Sequence, residues 1–401
     1  MPEHHDFLHQ VTTVARRHGV DAEHVKEVAG GVANRAFILG DDLFLRASRP
    51  GYEDDLRKET HVVPAACLVG VLTPEILEYD ETHRLLAAPY VVMERIHGAE
   101  PTEAPTGLAD ELARLHQLER APADTPAPQD LPTKAQPADT PPPRSHRTEA
   151  QPGGAPGAPL APRTEAQPCD APGALPDRWT EAQPGGAPGT LPDRSTEAQP
   201  GGGPRASRDL WSEAQPGDRR RDGRESRPQR ALDLPGVPED DWGDPWRTVD
   251  DLATRGYVDP ATASWLTGWF TRLAERFDDS GPKVLIHGDV ATHNLLAGPG
   301  NELRALIDWG DAAWAPRAME FAKLPLTQVA KILPAYAAQS PTPEEDLAAA
   351  ILWFHLSWAL AKLPAPPWPA QRHWTAPTTS RLLNILHFFT TTPPPPWPDL
   401  T

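Results

Sequence analysis

Cysteine is nearly absent: Cys67 and Cys169 are the only two thiols in 401 residues. That excludes a disulfide framework as the source of stability and suits a reducing, cytoplasmic setting. Long apolar runs are missing too. The greasiest stretch, Ile351 to Leu363, is too short for a bilayer and carries His355, so a membrane span is not expected. The residues from Met1 to Gln10 include Glu-His-His-Asp and lack the basic and apolar regions of a secretory leader. Basic residues are outnumbered, 38 Lys and Arg against 56 Asp and Glu, for a formal net charge of −18. Such a surface disfavours nucleic acid and anionic membranes as partners and is compatible with a cationic small molecule. His4, His5, His9 and His293 have no companion spacing that would form a zinc site.

Proline is what the chain has in excess, 50 residues against an ordinary ~5%. The excess is local, since Ala121 to Arg230 holds 22 of the prolines and 12 of the 29 glycines. Within it Thr148, Thr164, Thr180, Thr196 and Ser212 each open a (Thr/Ser)-Glu-Ala-Gln-Pro unit, 16 residues apart. The units carry too few apolar residues to stack as a solenoid. Burial would not offset an ordering entropy of roughly 1–2 kcal/mol per residue, so residues 121–230 read as a disordered, partly polyproline-like insert. A weak ligand for proline-binding partner modules is the sharper alternative. About 290 residues remain, enough for two lobes around a buried core.

Outside the insert the patterning is mixed. Phe7, Val11 and Val14 share a helical face ended by Gly19, and Glu27 to Ser48 reads as strands around a Gly30-Gly31 turn. A helix is expected over Glu53 to Val63, a strand from Pro74 toward Leu77, and a strand pair within Leu85 to Glu94. Leu108, Leu112, Leu115 and Leu118 suggest one amphipathic helix. Later come a helix over Trp265 to Arg276, strands at Val284 to Ile286 and Leu303 to Ile307, and helices around Glu344 to Leu363 and Ser380 to Phe389.

The chemistry concentrates in Val284-Leu-Ile-His-Gly-Asp289-Val-Ala-Thr-His-Asn294 and, fourteen residues beyond Asn294, in Ile307-Asp308-Trp309-Gly310-Asp311. Phosphoryl transfer from ATP needs one carboxylate to orient an attacking hydroxyl, and a separate carboxylate and amide oxygen for magnesium. Hard oxygen donors on two loops at strand ends meet that need.

His-Gly-Asp-x-x-x-x-Asn followed by Ile-Asp-Trp resembles the aminoglycoside phosphotransferase family, relatives of the protein kinases and of choline-type small-molecule kinases. The resemblance covers Glu27 to about Leu118 and about Trp246 to Ala322. It implies a bilobal, protein-kinase-like α+β fold: an antiparallel N-lobe sheet with a helix over 1–94, a hinge and first C-lobe helix over 95–120, and a mainly helical C-lobe over 231–401. It implies Asp289 as the catalytic aspartate, His287 as a loop brace, and Asn294 and Asp308 as magnesium ligands. Gly30, Gly31 and Asn34 fall where a glycine-rich loop covers the phosphates. Arg46 stands at the strand cation that is usually lysine, Glu59 is its helix partner, and Met93, Glu94 and Arg95 form the adenine-reading hinge. His116 reads as structural, as does Glu320, where the family usually has aspartate. Asp311 is the candidate for contacting the acceptor, a small hydroxylated molecule, with ATP and Mg2+ as the cofactors. Two other readings are a choline- or homoserine-type metabolite kinase, and a non-catalytic nucleotide-binding pseudokinase using the Pro-rich stretch as a tether.

Overall fold

Two-residue periodicity in three strands decides which way the first functional side chain points. The computed structural model describes residues 2–28, 33–121, 230–277, 281–366 and 378–401, all within the compact unit Met1–Thr125 with Ala182–Thr401. The proline-rich repeats, the proposed insert over 121–230 except its ends, and the Gly30-Gly31 pair lie outside the described residues. Helix α1 (Pro2–Arg17) precedes strands β1 (Val25–Val28), β2 (Asn34–Leu39) and β3 (Leu43–Ser48). Helix α2 (Glu53–Leu68), β4 (Ile76–Asp80) and β5 (Tyr90–Glu94) follow. The strands form an antiparallel sheet in the order β1-β2-β3-β5-β4.

Successive strand residues face opposite sides. Phe37, Leu39, Leu45, Ala47, Tyr90 and Val92 meet Val11, Val14 and Ala15 of α1 in one buried cluster. Val91 and Met93 face the other way, onto Leu56 of α2. Arg46 lies between Leu45 and Ala47 and directly opposite Val91 in the ladder, so alternation turns it toward α2 as well.

Two expectations are corrected here. Only Tyr90–Glu94 of the expected strand pair is a strand: the Ala87 N–H donates to Gln10 Oε1, Pro89 has no N–H to give, and Leu86 is drawn into the α1 cluster. Helix α3 (Leu108–Leu115) stops short of Leu118, which begins β6 (Leu118–Arg120). Leu118 is fully buried and only imitates the next turn of the helix.

Beyond β7 (Arg230–Leu232), which pairs in parallel with β6, come α4 (Pro245–Thr254) and α5 (Pro260–Ala274). Each begins with Asp-Pro. The Asp244 and Asp259 side chains accept from the second and third backbone N–H groups of their helices, and proline at the first position lacks only an N–H that would be orphaned anyway. Strand β8 (Val284–Ile286), the hairpin β9 (Leu295–Ala297) with β10 (Leu303–Leu306), and β11 (Ala313–Ala315) follow. Strands β11, β8, β6 and β7 make a second sheet in that order. Helices α6 (Leu326–Ala337), α7 (Glu344–Ala361) and α8 (Thr378–Thr390) complete an α+β architecture with an antiparallel N-terminal sheet and a helical C-terminal region. Among the described residues no helix is long and apolar enough to cross a membrane.

Helix α7 is buried on every side from Leu347 to Leu360, the signature of a helix at the centre of a core. It carries His355, whose Nε2 donates to the Phe321 carbonyl at 3.0 Å. Burial pushes the imidazole down to about 3, against an ordinary value of ~6.5. Between those values the unfolded chain binds the proton and the folded chain does not, so stability falls as the pH drops below about 6.5, by up to roughly 4 kcal/mol at pH 3. The expected result is that urea midpoints of His355→Gln, which keeps a donor but does not titrate, lose this part of the acid slope. An unchanged slope would contradict the assignment.

Candidate active site

The loop after β8 is gripped by its main chain. One buried carboxylate, Glu320, accepts the His287 N–H at 2.7 Å and the Gly288 N–H at 3.1 Å. Glu320 Oε2 also faces His116 Nε2 at 3.3 Å, and His116 Nδ1 meets the Tyr336 hydroxyl at 2.6 Å. Burial pushes the His116 imidazole down, with Glu320 pulling the other way. His116 and Glu320 thus touch the loop's support and each other. The ring of His287 donates from Nε2 to the Ile307 carbonyl at 3.0 Å and accepts the Asp289 N–H on Nδ1 at 3.3 Å. It therefore ties the loop to the strand that delivers Asp308, and it packs on Trp309 with ring centroids 4.5 Å apart. Gly288 sits at φ +80°, and a Cβ there would lie 2.2 Å from the Asp311 carbonyl oxygen. No side chain fits, so the two loops can meet only at glycine.

Asp289 emerges from this loop with both oxygens engaged. Lys323 Nζ lies 2.8 Å from Oδ1. Asn294 Nδ2 donates to Oδ2 at 2.7 Å and to the Asp289 carbonyl at 3.0 Å, and His293 Nε2 lies 3.4 Å from Oδ2. Burial alone would raise the carboxyl, but Lys323 and His293 outweigh it and hold it well below the usual range. For the His293 ring burial works against the charge, and Asp289 reverses this to a net rise.

The second loop is held from the N-terminal sheet. Arg46 donates through Nη1 to both Glu59 oxygens, at 2.9 and 2.7 Å, and through Nη2 to Asp308 Oδ1 at 2.7 Å. Burial opposes the Arg46 charge, yet Asp308 and Glu59 more than reverse it. Glu59 is pushed up to about 7 by burial, with Arg46 acting in the opposite sense. Asp308 has a left-handed backbone (φ 66°, ψ 72°), uncommon outside glycine but tolerated best by Asp and Asn. The adjacent Ile307 N–H donates to the Asn294 carbonyl at 3.0 Å and Trp309 Nε1 to Thr73 Oγ1 at 2.9 Å, which fixes the turn from both sides. Asp311 Oδ2 lies 3.3 Å from Lys323 Nζ, and burial, then Asp289 and Asp308, raise its carboxyl despite Lys323.

The residues singled out from sequence therefore divide. Asp289, His287, Asn294, Asp308, Arg46, Glu59 and Asp311 come together. Asn34 begins β2 on the same face as Arg46, because Asn34 pairs with Ser48 and Ala36 with Arg46; its Oδ1 is buried with no hydrogen-bond partner among the described residues. Gly30 and Gly31 lie outside the described residues. Met93 is buried, whereas the N–H groups of Glu94 and Arg95 already donate to the Glu75 and Asp42 carbonyls at 2.9 and 2.8 Å. Those two donors are engaged within the fold. Sequence reasoning missed Lys323, and it weighed His293 only as a zinc ligand. Among the described residues no cluster of three or more His, Cys, Asp or Glu is arranged to hold a metal.

Known proteins resemble this chain in sequence pattern. The family model described as phosphotransferase enzyme family matches residues 24–189 and 229–350, reaching further than the motif-bearing segments and into the repeat-rich stretch. A GDP complex of wild-type aminoglycoside 2'-phosphotransferase-IIIa is similar at 13% identity and a TM-score of 0.46, over 95% of this chain and 97% of that one. Aminoglycoside phosphotransferase APH(3'')-Id from Streptomyces rimosus is similar at 12% identity and a TM-score of 0.38, over 88% and 98%. Macrolide 2'-phosphotransferase type I gives 15% identity and a TM-score of 0.39, over 88% and 90%. No curated protein sequence matches the chain.

Proposed function

This chain belongs to the phosphotransferase enzyme family, and from that premise we propose that it moves the γ-phosphoryl group of ATP to a hydroxyl of a small, amine-bearing polyol of the aminoglycoside type. The observation that carries the reading is the meeting of Asp289, Asn294 and Asp308: the Asn294 amide is bonded to Asp289, and the Asn294 carbonyl is bonded to the residue before Asp308.

Asp289 accepts the hydrogen bond of the acceptor hydroxyl and aims its oxygen at the γ-phosphorus. As the new oxygen–phosphorus bond forms, the bond from phosphorus to the bridging oxygen breaks and ADP departs with that electron pair. A carboxylate held this far below its usual range is a weak base. The proton therefore moves late, once bonding to phosphorus has made the hydroxyl acidic, in keeping with a loose transition state. Arg46 offers its guanidinium to phosphate oxygens while bracing Glu59 and Asp308, and arginine keeps its charge throughout.

The donor chemistry fits magnesium. With Nδ2 turned to Asp289, the Asn294 amide oxygen points elsewhere, and Asp308 keeps one oxygen beyond the Arg46 contact. An amide oxygen and one carboxylate oxygen are the sparse protein set that magnesium takes when phosphate and water complete its shell. When bound, the ion neutralises charge on the phosphates.

The test is ADP release by the full chain with Mg·ATP and a panel of aminoglycosides, amino alcohols including choline and homoserine, and simple sugars. Turnover confined to aminoglycosides is expected. Turnover confined to amino alcohols would replace the acceptor class, and ATP binding with no ADP release from any acceptor or from water would favour the non-catalytic reading.

A further inference from the structure

Lys323 is the one cation that reaches both Asp289 and Asp311 in the contacts of this site, and the motif comparison gives it no part. It is buried, 5% exposed, and an ammonium out of water is tolerated only when anions face it. It closes the short helical segment Arg317–Lys323, of the three-residues-per-turn kind. In that geometry residues three apart eclipse one another, so Lys323 stands over Glu320. One segment thereby holds the loop twice, its backbone through Glu320 and its reactive side chain through Lys323. The segment is itself anchored, by His355 on the Phe321 carbonyl and by His116 on Glu320.

Lone-pair accounting then locates the acceptor. An ionised carboxylate has about four acceptor sites, two on each oxygen. On Asp289, Asn294 and His293 take the two of Oδ2, and Lys323 takes one of Oδ1. The site left is on Oδ1, beside Lys323. Asp311, whose side chain is 42% exposed and which shares the same ammonium, borders that side.

We propose that Lys323 is a positioning residue for phosphoryl transfer: by pinning Oδ1 of Asp289 it leaves one lone pair for the acceptor hydroxyl, which enters the notch between Lys323 and Asp311. The inference rests on the kinase reading above and deepens it. In the notch the hydroxyl oxygen bonds to the γ-phosphorus, the bond to the ADP oxygen breaks, and the hydroxyl proton ends on Oδ1.

The test uses the full chain with Mg·ATP, kanamycin as one acceptor probe and water as the other. Lys323→Met should lower kcat with either acceptor about 100-fold while ATP affinity, read by fluorescence titration, stays within about threefold. Lys323→Arg, which restores a cation, should recover at least tenfold of that loss. A buffer residue with a purely structural role would instead move thermal stability and leave kcat per folded molecule unchanged. If Lys323→Met does not fold, the double variant Lys323→Met with Asp311→Asn, which removes one charge of each sign, takes its place with the same expected loss. A kcat within threefold of wild type in whichever variant folds, or a loss that Lys323→Arg does not relieve, overturns the proposal. Wild-type protein that binds no ATP, or binds it and releases no ADP even with water, removes the kinase reading and this inference together; normal wild-type turnover with an unaffected Lys323→Met removes this inference alone.

Discussion

Asp289→Asn should lower kcat for phosphoryl transfer by about 10²- to 10⁴-fold, with ATP binding changed far less. The loss has two physical parts. The neutral amide no longer draws the hydroxyl proton as the bond to phosphorus forms. It also carries an NH2 group, and the two oxygen positions it must occupy face Lys323 on one side and Asn294 on the other. One of these will meet a donor with a donor, so the side chain will turn or a contact will open, at roughly 1–3 kcal/mol for the group left unpaired. Steady-state ADP release and nucleotide titration on the same preparation separate the parts. A variant retaining more than a tenth of wild-type kcat would show that Asp289 does not receive the acceptor.

Glu320→Ala should be the most destabilising single change in the site. It strands the buried His287 N–H and the half-buried Gly288 N–H, and it removes one of the two partners of the buried His116 ring. At about 1–3 kcal/mol for each buried group left unsatisfied, a loss of roughly 3–5 kcal/mol is expected, visible as a lower urea midpoint with little change in slope. Glu320→Gln, which keeps one acceptor oxygen, should fall between. A midpoint within about 1 kcal/mol of wild type would mean that water replaces the carboxylate and that the loop does not depend on it.

Legibility in the sequence followed how local each determinant is. Strand β8 announces itself as three apolar residues running into His287, and the loop chemistry stands in one contiguous stretch, so Asp289 and Asn294 could be read directly. Arg46 and Glu59 were readable as a strand cation followed by a helix acid, and strand alternation with helical spacing brings them face to face. Lys323 was not readable in this way. Its partners lie 34 and 12 positions earlier in the chain, and a lone lysine after Glu320 in a short, mostly apolar segment looks like any surface lysine until the segment is seen buried. Helices α4 and α6 escaped for a different reason. Their starts depend on Asp-Pro and Pro boundaries that read equally well as loop signals. The hinge was legible as a strand, but which of its N–H groups remain open depends on Glu75 and Asp42, residues from two other connections.

The parallel pairing of β6 with β7 bears on how this gene can change length. Glu119 stands opposite Ala231 and Arg120 opposite Leu232, so the polypeptide departs and re-enters at adjoining points of the same sheet. For ends pinned in this way, the entropy of closing a flexible connection grows only with the logarithm of its length. A change in the number of 16-residue units is therefore expected to leave the urea midpoint of the sheet-bearing unit nearly unchanged.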